Sequence, residues 1–249
     1  MRRTVIGLFA LLSASGTIVA CTVDGAQQTV SALATGVPPQ PAIGALFVDG
    51  THYCTASVVH SPQGNELVTA AHCIHDGQGG GYVTGVTFAP GFHDGVAPFG
   101  YWEVADQLVA QAWIDTSDPN LDVGFATARQ TGSPVPLESV TGANQLATNG
   151  PFARPVTVTG YPDGIDEVAT CDAETQQEDP HQVRIDCPGF ATGTSGSPLV
   201  ADPAPDTKLG TVVGVIGGYE AGGYTDDVSY SSYFDDEVRT LYQQATATP

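Results

Sequence analysis

The chain has 249 residues with 30 glycines, 18 prolines and a formal net charge of −20. That length accommodates one all-β domain with a substantial core. The acidic balance is hostile to nucleic acid and to anionic lipid surfaces and suits a soluble extracellular protein, so no nucleic-acid partner is expected.

Met1–Ala20 reads as an export leader, with basic Arg2 and Arg3, an apolar Val5–Leu12 run and small residues after it. Its loss removes two of the seven basic residues and none of the 27 acidic ones, leaving −22. Ile18-Val19-Ala20-Cys21 resembles a bacterial lipobox, which would place a lipid on Cys21; simple cleavage after Ala20 is the alternative. Residues 21–41 are small and polar, end in Pro-Pro-Gln-Pro and read as a tether.

Short β-prone runs begin near Ala42: Ile43–Val48, Cys54–Val59 and Glu66–Ala71, separated by Asp49-Gly50 and Ser61-Pro62-Gln63-Gly64 turns. Tyr101–Val109 and Leu121–Ala128 continue the pattern, and the turn-rich Thr131–Pro151 reads as a crossing between two halves. Val156–Thr159, Leu199-Val200 and Thr211–Ile216 supply strands of the second half. Tyr233–Gln244 has Val238, Leu241 and Tyr242 at helical spacing, acids in its first turn, and Ser231 or Ser232 as a cap. The expected class is all-β with a terminal helix.

If Cys21 is lipidated, Cys54, Cys73, Cys171 and Cys187 remain for two bridges in an oxidising exterior. Cys54–Cys73 with Cys171–Cys187 is the short-loop pairing, one of three arithmetically open. Their spacing is unlike a metal site, so neither metal nor cofactor is expected. Asp163, Asp166 and Glu167, and the acidic stretch Asp172–Asp179, lack an EF-hand pattern and are not assigned to calcium.

Two short motifs carry the chemistry: Thr69-Ala70-Ala71-His72-Cys73 and Gly193-Thr194-Ser195-Gly196-Ser197-Pro198. A serine hydroxyl is a weak nucleophile until an imidazole takes its proton, and the imidazole needs an orienting carboxylate. Asp122 is the acid candidate, because the apolar Val123-Gly124-Phe125 after it would carry it into a buried interface; Asp106, Asp115 and Asp118 are alternatives. Gly193 and Gly196 permit the unusual dihedrals that expose Ser195, and the N–H groups of Gly193 and Ser195 would converge as an oxyanion hole. An α/β-hydrolase also uses a serine triad, but needs Gly-x-Ser-x-Gly and the order Ser, acid, His; here position 197 is Ser and the order is His, Asp, Ser.

These motifs resemble the trypsin/chymotrypsin-like serine endopeptidases, particularly the bacterial branch that includes the glutamyl endopeptidases, over most of Ala42–Gln244. The resemblance implies two antiparallel six-stranded β-barrels, about 42–130 and 153–232, with the active site between them and a helix about 233–244. It also implies an acyl-enzyme route acting on protein or peptide substrates, and a monomer. The rival reading is a catalytically silent binding or scaffold lipoprotein on the same fold.

Departures from the family pattern are local. Thr194 stands where animal members carry the aspartate that pairs with a newly cleaved N-terminus, so no such ion pair is expected. Gly189 stands where trypsin-like members carry the aspartate that binds basic side chains, and Phe190 and Ile216 replace the Thr and His of the glutamyl endopeptidases. A neutral, apolar or small P1 residue follows, with Asp226 or Asp227 able to select cations if either enters the pocket. Val213-Gly214-Val215 would pair with substrate backbone, and Gly217-Gly218 would keep the pocket mouth open.

Overall fold

The computed structural model describes residues 40–164 and 168–247. The leader, Cys21 and most of the tether lie outside the described residues, as do Asp166 and Glu167.

Six strands close the first barrel in the order β1-β2-β3-β6-β5-β4. They are β1 (Ile43–Val48), β2 (Thr51–Val59), β3 (Glu66–Thr69), β4 (Thr87–Pro90), β5 (Trp102–Val109) and β6 (Gly124–Arg129). Asp49 (φ 50°) and Gly50 (φ 76°) make the tight β1–β2 turn, a left-handed pair of the kind whose twist matches the flanking strands. Alternate residues of each strand enter the interior, where Leu46, Val58, Leu67, Phe88, Trp102 and Ala128 meet. Two short helices follow β5 and β6, α1 (Gln111–Thr116) and α2 (Leu137–Thr141). The turn-rich crossing thus contains a helix that the sequence reading did not foresee.

The second half contains β7 (Gln145–Leu146), β8 (Pro155–Gly160), β9 (Ala169–Glu174), β10 (Gln176–Gln177), β11 (Gln182–Asp186), β12 (Pro198–Ala201), β13 (Thr211–Val215) and β14 (Val228–Ser232). Six of these are the longer strands of a chymotrypsin-like second barrel, but they form two sheets, β7-β13-β12-β8-β9 and β10-β11-β14, in place of one closed ladder. Each seam is bridged by a local contact. Between β13 and β14, the Val215 N–H donates to the Ser231 hydroxyl (3.0 Å), so a side chain stands where the next backbone acceptor would be. Between β9 and β11, the Cys171–Cys187 disulfide joins the sheets covalently. The stretch Asp172–Asp179 is mostly strand, not an acidic loop.

Helix α3 (Asp236–Ala247) ends the described chain. Its cap is Asp235, whose Oδ1 accepts the N–H of Glu237 (2.8 Å) and Val238 (3.3 Å); the expected Ser231 and Ser232 are strand residues of β14. Val238, Leu241 and Ala245 pack with Val68 and Phe125 of the first barrel and with Val200, Val212 and Val215 of the second. The helix therefore bolts the two halves together behind the cleft that separates them.

Candidate active site

His72 sits in a single 3-10 turn, Ala71–Cys73, directly after β3. The next residue, Cys73, is bridged to Cys54 of β2, which fixes the turn against the barrel wall. The two sulfurs and His72 lie close together, but both sulfurs are spent in the bridge and offer no metal ligand.

Asp122 follows another 3-10 turn, Pro119–Leu121, whose cap is Asp118 accepting from the Asn120 N–H (3.0 Å). The Asp122 side chain is fully buried, and a buried carboxylate persists only if its lone pairs are met. Its Oδ1 accepts the His72 backbone N–H (2.9 Å), while Oδ2 accepts from His72 Nδ1 (2.7 Å) and from the Gly218 N–H (2.9 Å). Because an ionised carboxylate only accepts, Nδ1 must carry the proton, leaving the Nε2 lone pair for chemistry.

Burial by itself would lower the basicity of the imidazole, but the charge and hydrogen bond of Asp122 outweigh it, so the His72 pKa is raised above its ordinary value of 6.5. The ring keeps 22 % of its surface exposed, enough to meet a substrate.

The alternative acids are engaged elsewhere. Asp106 pairs with Arg129 and Thr127, Asp115 accepts from Gln111, and Asp118 caps its turn.

Ser195 lies in the loop between β11 and β12, flanked by Gly193 (φ 93°) and Gly196 (φ 83°), both in the region that favours glycine. A methyl group on Gly196 would come within 2.1 Å of the Thr55 carbonyl and 2.2 Å of the Thr69 hydroxyl, so that position tolerates only glycine. The N–H groups of Gly193 and Ser195 donate to no acceptor among the described residues. Thr194 is buried, and its hydroxyl closes the same turn by donating to the Ala191 carbonyl (2.7 Å).

His72 and Ser195 line one cleft of about 400 Å³ together with Phe190, Gly193, Ile216 and Gly222. Phe190 and Ile216 are buried in its wall, while exposed Glu220 and Asp226 stand on its lining; Asp227 is not among the lining residues. Gly189 does not line it either, nor do Val213, Gly214 and Val215. These three belong to β13, which pairs with β12 along one edge, while β7 pairs only with its first two residues, Thr211 and Val212. Gly217 packs against Asp122 and Gly218 hydrogen bonds to it, so this pair supports the acid.

Several supporting residues carried no sequence signal. Gln182, fully buried, donates from Nε2 to the Pro119 carbonyl (2.9 Å) and to Asn120 Oδ1 (3.1 Å), and accepts the Tyr219 N–H (3.2 Å). It ties the turn before Asp122 to the second half. Tyr53 lines the cleft and donates to the Cys73 carbonyl (2.7 Å), holding the histidine turn from its other side.

A sequence profile of the trypsin-like peptidase domain matches residues 54–215, and the chain belongs to that family. It is by class a serine endopeptidase. Among solved structures, protease Anisep from Arthrobacter nicotinovorans is 23 % identical with a TM-score of 0.75, the match covering 86 % of this chain and 99 % of the other. The thermostable serine protease AL20 from an extremophilic microorganism is 26 % identical with a TM-score of 0.74, covering 84 % and 99 % respectively. A Glu endopeptidase shares the fold at 19 % identity and a TM-score of 0.64, covering 85 % and 93 %. No curated protein matches significantly. No helix among the described residues is long and apolar enough to cross a membrane, and the two disulfides fit an oxidising, extracellular setting.

Proposed function

We propose that the protein cleaves peptide bonds through an acyl-enzyme, with Ser195 as nucleophile, His72 as general base and then acid, and Asp122 as the group that orients and stabilises the imidazolium. The observation that carries this reading is the buried Asp122 carboxylate hydrogen bonded to His72 Nδ1 in a cleft that His72 shares with Ser195. His72 Nε2 takes the hydroxyl proton as Ser195 Oγ attacks the carbonyl carbon. The resulting oxyanion sits against the N–H groups of Gly193 and Ser195, and His72 returns the proton to the leaving amine. Water then repeats the sequence in reverse and frees the acyl group. Neither a metal nor a cofactor has a step in this scheme.

The P1 residue is neutral, apolar or small, because the buried wall of the cleft is formed by Phe190 and Ile216. The protein acts as a monomer, exported through its leader and either released outside the cell or held to the outer face of the membrane by a lipid on Cys21. Incubation of a P1-diverse peptide library with the wild type and with Ser195→Ala tests the reading. Cleavage after Leu, Phe, Val or Ala that disappears in Ser195→Ala supports it. Dominant cleavage after Lys or Arg would reassign the pocket to Asp226 and Glu220.

A further inference from the structure

Glycine is the most conformationally permissive residue, yet an anion pocket works only if its donors point at one place before the charge develops. Gly193 cannot be stiffened by a side chain: a methyl group there would meet Asp163 Oδ1 at 2.5 Å and the Tyr161 carbonyl at 2.8 Å. Its orientation must be imposed from outside, and the hydrogen bonds around it show how.

The peptide group preceding Gly193 is held by its carbonyl, since Thr192 O accepts the Asp163 N–H (2.7 Å). In a trans peptide the N–H points opposite to the C=O, so this bond aims the Gly193 N–H away from Asp163. The peptide group following Gly193 is held by one side chain. Thr55 Oγ1 donates to the Gly193 carbonyl (3.2 Å) and accepts the Tyr161 N–H (3.1 Å). With one hydroxyl lone pair occupied by Tyr161, its proton is directed to Gly193.

The main chain of Thr55 reinforces this. Its N–H donates to the Ser195 carbonyl (2.7 Å), and its carbonyl accepts from Thr69 Oγ1 (2.7 Å), three residues before His72. Thr55 is fully buried in β2 beside the Cys54 bridge. A single residue of the first barrel thus grips the nucleophile turn, the end of β8 and the strand that leads to the histidine.

We propose that Thr55 is a positioning residue for oxyanion stabilisation: its hydroxyl holds the Gly193 carbonyl and thereby keeps the Gly193 N–H aligned with that of Ser195. The role rests on the reading of Gly193 and Ser195 as the anion pocket. Thr55→Val keeps the branched shape and removes the hydroxyl, leaving the Gly193 carbonyl and the Tyr161 N–H without their partner. Thr55→Ser keeps the hydroxyl.

The test measures kcat and KM for a peptide substrate, expressed per site titrated with a fluorophosphonate so that misfolded molecules drop out. It also measures affinity for a peptide aldehyde, whose hemiacetal oxygen occupies the anion pocket. Loss of one full oxyanion donor costs on the order of a hundredfold to a thousandfold in kcat, so misalignment of one donor in Thr55→Val is expected to cost roughly tenfold to a hundredfold. KM stays within about threefold, aldehyde affinity falls by a factor similar to kcat, and Thr55→Ser recovers most of both, as expected for a contact made chiefly in the transition state. Unchanged kcat in Thr55→Val, or a loss confined to KM with aldehyde affinity intact, overturns the proposal. So does failure of Thr55→Ser to recover kcat. Thr55→Ala is measured alongside, so that the conclusion does not hang on one variant's folding. Ser195→Ala separates the two levels: turnover surviving in it removes the nucleophile reading itself, whereas a silent Thr55→Val beside a dead Ser195→Ala removes only the role of Thr55.

Discussion

Asp122 grips His72 twice, its Oδ1 on the backbone N–H at 2.9 Å and its Oδ2 on Nδ1 at 2.7 Å. The first bond fixes where the turn stands, and the second fixes the ring's rotation and tautomer. The carboxylate can do both because it is buried between the barrels and receives a third bond from Gly218 of the opposite half.

Asp122→Asn should therefore leave the fold intact and remove catalysis. An amide that donates to Nδ1 forces the proton onto Nε2, the wrong tautomer for a base. The kcat is expected to drop about 10⁴-fold, as for the equivalent change in a well-studied triad. Steady-state kinetics with a titrated active-site concentration checks this; a loss under tenfold would contradict the account.

The same contact sets the pH profile. His72 must be neutral to accept the serine proton, and Asp122 raises its pKa above 6.5, so protonation begins to inhibit at a higher pH than for an ordinary histidine. The acid limb of kcat/KM is expected above pH 6.5. The residual activity of Asp122→Asn should have its acid limb at lower pH. A wild-type limb below pH 6 contradicts the claim.

Glu66 dominates a second pH effect, on stability. It lies on β3, buried beside the Asp106–Arg129 pair, and burial followed by the charge of Asp106 pushes its carboxyl up from 4.5 to about 8. A raised carboxyl pKa makes the folded state hold a proton that the unfolded state has released. Its contribution is thus fully favourable below pH 4.5 and is lost as pH rises towards 8. At 1.36 kcal/mol per pH unit the loss is roughly 3 kcal/mol at pH 7 and roughly 4 kcal/mol at pH 8. Glu66→Gln should raise stability at pH 8 by this order and little at pH 4.5, which urea melts at both values would show. Equal effects at the two values contradict the shift.

The two disulfides should be distinguishable by activity. Each closes a loop of fewer than 25 residues, with sequence separations of 19 and 16, and losing either costs about 3 kcal/mol in the chain-entropy account. Replacing Cys54 and Cys73 by Ala also frees the turn that carries His72, so kcat falls as well. Replacing Cys171 and Cys187 loosens the seam between β9 and β11, and kcat per folded molecule should stay within about threefold.

Activation should need no defined N-terminus. Thr194 satisfies its hydroxyl within its own turn, and the first described residue, Gln40, reaches Thr159 of the second half through Nε2 (3.0 Å). Chains beginning at Thr22 and at Gln40 are expected to show equal kcat/KM; activity confined to one start contradicts this.

The histidine and serine turns were legible in the sequence because each is one contiguous segment whose residues have no bland substitute: glycines where φ is positive, and a cysteine locking the turn. The Cys54–Cys73 and Cys171–Cys187 pairing was one of three, and the fold chose it. Counting from the serine motif could not see the register shift between Pro198 and Val200 in the β12–β13 ladder, or that β7 pairs with the start of β13. Strands β9, β11 and β14 are interspersed with Asp, Glu, Gln, Arg and Ser, some outward and some, such as Gln182 and the serines of β14, buried, which weakens the β signal. Gln182 and Thr55 were silent for another reason. Their importance lies in hydrogen bonds to residues 63 and 138 positions away, and no local pattern records those.

The most direct measurement is labelling with a fluorophosphonate followed by peptide mapping by mass spectrometry. Stoichiometric modification of Ser195 in the wild type, greatly slowed in Asp122→Asn and abolished in Ser195→Ala, is the expected result. No labelling of a folded wild type, or labelling that persists in Ser195→Ala, would contradict the assignment of Ser195 as the nucleophile activated by His72 and Asp122.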